Sequence, residues 1–194
     1  MLSIEDNELL TRTYPGTPMG EYFRCFWQPV ALTEEIAEPD SPPIRVKIMG
    51  EELVAFRDSK GRVGLVEPKC AHRGADLFFG RNEECGLRCI YHGWKYDTDG
   101  KCVDMPNVPP KAGYHGKVSI KAYPTCDFGG MVWAYLGPPG EVPELPELEV
   151  GLVGAHHRFV SKKLQQCNWA QSMEGALDTA HFSFLHMPAP EVFN

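Results

Sequence analysis

The chain has 194 residues, 43% hydrophobic and 23% charged, with a formal charge of −7. That suits one sizeable folded domain with part of another and excludes a disordered chain. With 19 basic against 26 acidic residues there is no phosphate-neutralising excess, so neither nucleic acid nor an anionic membrane is an expected partner.

In chain order, MLSIEDNELL is acidic where an export signal would be basic, which predicts a cytoplasmic protein. Asp6 is placed to cap a first short helix, and Thr17-Pro18 to open a second over 19–26. Gln28-Pro29-Val30 leads into extended chain. The alternation in Ile44-Arg45-Val46-Lys47-Ile48 predicts a strand, Met49-Gly50 a turn, and residues 53–56 the return strand. Asp58 to Gly61 is another turn, before a strand over 63–66. Asp99-Gly100 lies between Trp94-Lys95-Tyr96 and Lys101-Cys102-Val103, a strong hairpin signal. Residues 118–123 and 131–136 read as the last strands of this unit. The acidic, proline-punctuated stretch from Pro138 reads as a linker, followed by a short strand over 158–164 and a helix over 168–180. The expected fold is mainly β, with a helical arm over 1–40, a β-domain over 41–140, a linker over 141–157 and the beginning of another domain over 158–194. No apolar run approaches the roughly 18 to 20 residues of a membrane-spanning helix.

Seven cysteines, an odd number without an export signal, direct attention to thiols as metal ligands rather than to disulfides. Cys70-Ala71-His72 is followed after sixteen residues by Cys89-Ile90-Tyr91-His92. A structural zinc site accepts two thiolates and two imidazoles. Zinc fingers, however, group their cysteines together, whereas each loop here carries one thiol and one imidazole. That distribution suits a [2Fe–2S] cluster in which one iron takes both thiolates and the other both imidazoles.

Glu174, Asp178, His181 and His186 form a second constellation. Two histidines and a carboxylate can hold Fe(II) with positions open for O₂. Glu174, Asp178 and His181 share one helical face, but His186 lies about 140° round from His181, so the helix must break near Phe184 for both imidazoles to meet one metal.

CAHRG at 70–74 and CIYHGWKYDTDG at 89–100 resemble the C-x-H and C-x₂-H motifs of Rieske proteins. Asn168-Trp169 through His186 resembles the D-x₂-H-x₄-H iron motif of Rieske non-haem iron oxygenases, and PGTPMGEYFRCFWQPVAL at 15–32 resembles their phthalate dioxygenase branch. The resemblance implies a Rieske β-sandwich domain with short N-terminal helices, followed by the start of an α+β catalytic domain. It implies a cluster on Cys70, His72, Cys89 and His92, and a mononuclear Fe(II) on His181 and His186. Asp178 is then the catalytic bridging aspartate, linking a cluster histidine, His92, of one subunit to His181 of the next in a homotrimer.

The implied partners are an NAD(P)H-dependent reductase carrying a flavin or a ferredoxin, O₂, and an aromatic substrate that is hydroxylated or O-demethylated. Asp178→Asn is expected to leave both metals bound while slowing electron delivery. High-potential Rieske proteins carry an extra cysteine in each loop and a hydroxyl two residues after the second histidine. Here those positions are Ala75, Tyr91 and Trp94, which implies a potential of roughly −150 mV.

The family's third iron ligand is an aspartate far downstream, and Glu191 is the only acidic residue after His186. The chain therefore reads as the amino-terminal part of a longer subunit. A Rieske ferredoxin-like electron carrier is the alternative, with a zinc-binding module or a non-catalytic fragment behind it. Arg73 and Lys95, beside the ligands, are candidates for docking a reductase, and Trp94, Tyr91 and Trp133 for shielding the cluster.

Overall fold

The computed structural model describes residues 2–109 and 112–187. Glu191 lies outside them. Two helices, α1 (Ile4–Thr11) and α2 (Pro18–Arg24), precede the strands β1 (Trp27–Leu32), β2 (Ile44–Ile48), β3 (Glu51–Arg57), β4 (Val63–Val66), β5 (Arg81–Glu83), β6 (Gly86–Arg88), β7 (Lys95–Tyr96), β8 (Cys102–Asp104), β9 (Ala122–Tyr123), β10 (Thr125–Phe128) and β11 (Met131–Tyr135). The helices α3 (Glu149–Leu152), α4 (Trp169–Leu177) and α5 (Phe182–Leu185) follow. The expected mainly β architecture is what forms.

The strands make three antiparallel sheets among the described residues, in the orders β1-β11-β10, β2-β3-β4-β9 and β5-β6-β7-β8. Strand β3 explains how they pack. Its residues alternate sides, as a pleat requires, and both sides are buried. Leu53 and Ala55 join Ala31, Leu65, Val132 and Ala134 in one core. Val54 and Phe56 join Val66, Leu77, Leu87 and Tyr96 in the other, which also contains Cys70 and Cys89. The run Leu-Val-Ala-Phe is therefore continuous rather than alternating in hydrophobicity because it serves two cores at once. Thr17 caps α2 with Pro18 at its first position, as the sequence indicates. The buried guanidinium of Arg24 then ties that helix to Glu51 at 2.5 Å and to the Met49 carbonyl at 3.1 Å.

Several local expectations are corrected. Ser3, not Asp6, caps α1: its hydroxyl accepts the Asp6 amide, which places Asp6 in the first turn. Residues 158–164 make no strand, because no neighbouring strand pairs with them; Phe159 is 90% exposed. The strand expected over 118–123 shortens to β9, because residues 118–120 pair instead with 100–102: the Cys102 amide donates to the Val118 carbonyl and the Ile120 amide to the Gly100 carbonyl. The chain clusters into two compact units, Thr13–Lys162 and, among the described residues, 2–12 with 163–187. No helix of the described residues is long and apolar enough to cross a membrane.

Candidate metal centres

The two Cys-His segments form loops that close in the same way. Loop 70–75 follows β4; the Cys70 amide donates to the Ala75 carbonyl at 2.9 Å and the Gly74 amide to the Cys70 carbonyl at 2.8 Å. Loop 89–94 joins β6 to β7, with Cys89 donating to Trp94 at 2.9 Å and Gly93 to Cys89 at 3.0 Å. Each turn needs a left-handed residue four positions after its cysteine, and glycine supplies it: φ is +67° at Gly74 and +74° at Gly93.

These loops bring the four expected ligands together. Cys70 and Cys89 are buried in the same core. The His72 and His92 rings meet edge-on, 4.4 Å between centroids. Trp94 stacks on His72 at 4.6 Å and 9°, its indole N–H donating to Asn107 Oδ1 at 2.8 Å. The exposed Tyr91 lies against His92, ring centroids 3.9 Å apart. Burial holds the His72 imidazole below its ordinary pKa, with His92 and Arg73 adding to the effect. Burial raises the Cys89 thiol, while amides of Tyr91 and His92 pull it down.

One atom tests whether these residues suit a metal cluster. His72 Nδ1 is buried and has no hydrogen-bond partner. Leaving a buried polar nitrogen unsatisfied costs about 1–3 kcal/mol, and a metal bond at that nitrogen removes the penalty. Two thiols together and two imidazoles together, one such atom among them, match the split donor set of a [2Fe–2S] centre. Among the described residues no three His, Cys, Asp or Glu side chains converge to hold a single ion. Each iron of such a cluster takes only two protein ligands, so the pairs are the relevant unit.

Tyr96 was not singled out by the motif spacing. Its hydroxyl accepts the Ala71 amide at 3.1 Å and lies 3.3 Å from Cys70 Sγ, which the phenol proton can reach. Burial and the adjacent Cys70 push Tyr96 well above the usual phenol range. Its position four residues after His92 was the available signal. Lys95 is unsuited to docking: it is buried, and its Nζ donates to the Glu84 carbonyl at 3.2 Å and carboxylate at 3.0 Å. The other cysteines form no disulfide; all seven are free, and burial pushes the Cys102 thiol up to about 11.

The second constellation lies on α4 and α5. Asp178 leaves the helix with ψ of 114°, and its Oδ1 accepts the Ala180 amide at 2.8 Å. An aspartate bonding its own neighbouring backbone competes with helix continuation. The break consequently falls over 178–181, earlier than the expected position near Phe184. His181 and His186 then flank the single turn of α5, ring centroids 5.2 Å apart. Asp178 Oδ2 lies 3.0 Å from His181 Nδ1. The Ala180 amide, and then His181, hold the Asp178 carboxyl below its usual range. The arrangement offers two neighbouring imidazoles, one of them oriented by a carboxylate.

Comparison with known proteins settles the family. The model of the Rieske [2Fe–2S] domain matches residues 26–124, spanning both loops and half of the chain. The chain belongs to the Rieske [2Fe–2S] family. Beyond its Rieske domain, residues 134–191 match the model described as LigXa C-terminal domain like. The chain is 47% identical over 190 residues to the phthalate 4,5-dioxygenase oxygenase subunit of Pseudomonas putida, covering 96% of this chain and 42% of that protein. It is 42% identical to the 5,5′-dehydrodivanillate O-demethylase oxygenase subunit of a Sphingobium species, covering 96% and 44%. It thus spans about two-fifths of the length of these relatives. Among solved structures, dicamba monooxygenase bound to dicamba shares the fold, with a TM-score of 0.71 at 24% identity over 84% of this chain and 48% of that one. A second structure, of dicamba monooxygenase with non-haem iron and dicamba, matches the Rieske chain with a TM-score of 0.53 at 26% identity, over 62% and 36%.

Proposed function

We propose that the chain forms part of an oxygenase subunit in which Cys70, His72, Cys89 and His92 hold a [2Fe–2S] cluster and His181 and His186 hold a mononuclear iron. When bound, these groups supply one-electron transfer and O₂ activation, the chemistry that hydroxylates or O-demethylates an aromatic substrate with electrons from an NAD(P)H-dependent reductase. In this reading residues 41–140 carry the cluster, and residues 158–194 begin the part that carries the mononuclear iron. The relatives' names, a dioxygenase of phthalate and an O-demethylase of dehydrodivanillate, support an aromatic acid as substrate class. We also read the protein as cytoplasmic and, as a whole subunit, trimeric.

The chain's own groups have distinct tasks. The thiols of Cys70 and Cys89 are deprotonated on binding, and the Tyr96 hydroxyl donates to Cys70. Trp94 keeps the His72 ring in one plane. Asp178 accepts a hydrogen bond from Nδ1–H of His181, which fixes that ring's tautomer and leaves Nε2 as its metal donor. In the assembled trimer the same carboxylate would reach His92 of a neighbouring subunit.

The observation that carries this reading is the buried, partnerless His72 Nδ1 beside the His92 ring. The test is reconstitution with iron and sulfide followed by EPR of the dithionite-reduced protein. A brown-red protein with two nitrogen couplings, both lost when alanine replaces His72 and His92, is expected. A colourless, zinc-binding protein with no reduced-state signal would overturn it.

A further inference from the structure

Arg88 ends β6 immediately before Cys89 and is only 8% exposed. Its Nη1 donates to the Gly93 carbonyl at 2.7 Å and to Asp104 Oδ2 at 2.7 Å, and its Nε to Glu83 Oε1 at 2.6 Å. Gly93 is the residue after His92. One guanidinium therefore ties the residue before the loop's first ligand to the residue after its last. Glu83 on β5 and Asp104 on β8 hold the guanidinium from either side, and the Glu84 carboxylate lies 3.6 Å from its Nη2. Loop 70–75 has no equivalent: the residue before Cys70 is Lys69, whose exposed ammonium lies 4.0 Å from Asp76.

We propose that Arg88 is a positioning residue for the cluster, fixing through the Gly93 carbonyl the angle at which the His92 imidazole meets that of His72. It acts by geometry and not by its charge. A guanidinium presents several donors in a rigid fork, so it can hold the loop carbonyl and two carboxylates together, which a lysine ammonium on a flexible stem cannot reproduce. The inference rests on the reading of the four residues as a [2Fe–2S] site.

The experiment compares the cluster-loaded full chain with its Arg88→Lys, Arg88→Met and Asp104→Ala variants. The readouts are the nitrogen couplings of the reduced cluster and the rate at which a chelator removes iron. Arg88→Lys and Arg88→Met are expected to alter the couplings alike and to release iron about 10-fold faster, the usual scale for losing a group that orients a metal ligand. Asp104→Ala, which removes the acceptor on one side of Nη1, should move both readouts the same way by less. Folded Arg88 variants with wild-type couplings and release rates would overturn the proposal, showing that the guanidinium only braces the sheet. So would a Lys variant that behaves as wild type while the Met variant does not, since charge would then be the cause. Should neither Arg88 variant fold, unchanged couplings in Asp104→Ala would overturn it. A wild-type chain that takes up no cluster would overturn the ligand reading as well, whereas a normal wild-type cluster with unaltered variants overturns this inference alone.

Discussion

The two histidine pairs are built in opposite ways. His72 and His92 come from separate loops and meet only because β4, β6 and β7 place those loops side by side over a shared core. His181 and His186 are neighbours along the chain, brought to 5.2 Å by a single helical turn. The first pair therefore depends on tertiary packing: Cys70, Cys89 and Trp94 are buried, and the two imidazoles are half-buried above them. The second depends on one local break, set by an aspartate whose side chain bonds the next backbone amide but one. A tertiary site should fail when backbone conformation fails, and a local site when its capping side chain does.

Gly93→Ala gives the largest separation between them. A Cβ there would lie 3.0 Å from Pro106 Cγ, and φ of +74° is strained for any other common residue. A cost of about 1–3 kcal/mol is expected, with loss of most cluster colour, while iron binding at His181 and His186 is unchanged; paired iron and acid-labile sulfide analyses would check this. Asp178→Asn should do the reverse: both metals remain, but turnover of the whole oxygenase falls about 10- to 100-fold, read as steady-state rate against iron content.

A subtler perturbation sharpens the first site alone. In the proposed site the Tyr96 hydroxyl, 3.3 Å from Cys70 Sγ, would donate to the thiolate and stabilise the more negative, reduced cluster. Removing a hydrogen bond worth about 1.4 kcal/mol to a charged acceptor should lower the potential by about 60 mV in Tyr96→Phe, measurable by potentiometric titration. The smallest effect concerns pH. Because the Asp178 carboxyl sits below its ordinary value, its contact with His181 is fully present at and above the normal carboxylate range. It is lost only as pH falls through the lowered value, which NMR titration of the Asp178 side-chain carboxyl should follow.

The sequence made the candidate cluster residues legible because their spacing is local: C-x-H and C-x₂-H each fit within one loop. The hairpin at Asp99-Gly100 was legible for the same reason, its turn residues being the ones such turns demand. The hairpin joining β5 to β6 was not. Its turn is Glu84-Cys85, both left-handed at φ of 48° and 60°, and neither residue type signals that conformation. Tyr96 against Cys70 also escaped, since it depends on where a second segment lies, and so did Arg88 against Gly93, since no spacing marks a side chain that folds back onto its own loop. At the other pair the histidines were found but the helix break was misplaced, because helical periodicity alone does not register that Asp178 would bond Ala180.

The double burial of β3 has a consequence for how the Rieske domain comes apart. With Leu53 and Ala55 in one core and Val54 and Phe56 in the other, neither core can be opened without exposing the same strand's opposite side chains. The two cores are thus one cooperative unit, and amides on β3 should exchange with solvent only through global opening. Heating should accordingly bleach the domain and melt its sheets in a single transition.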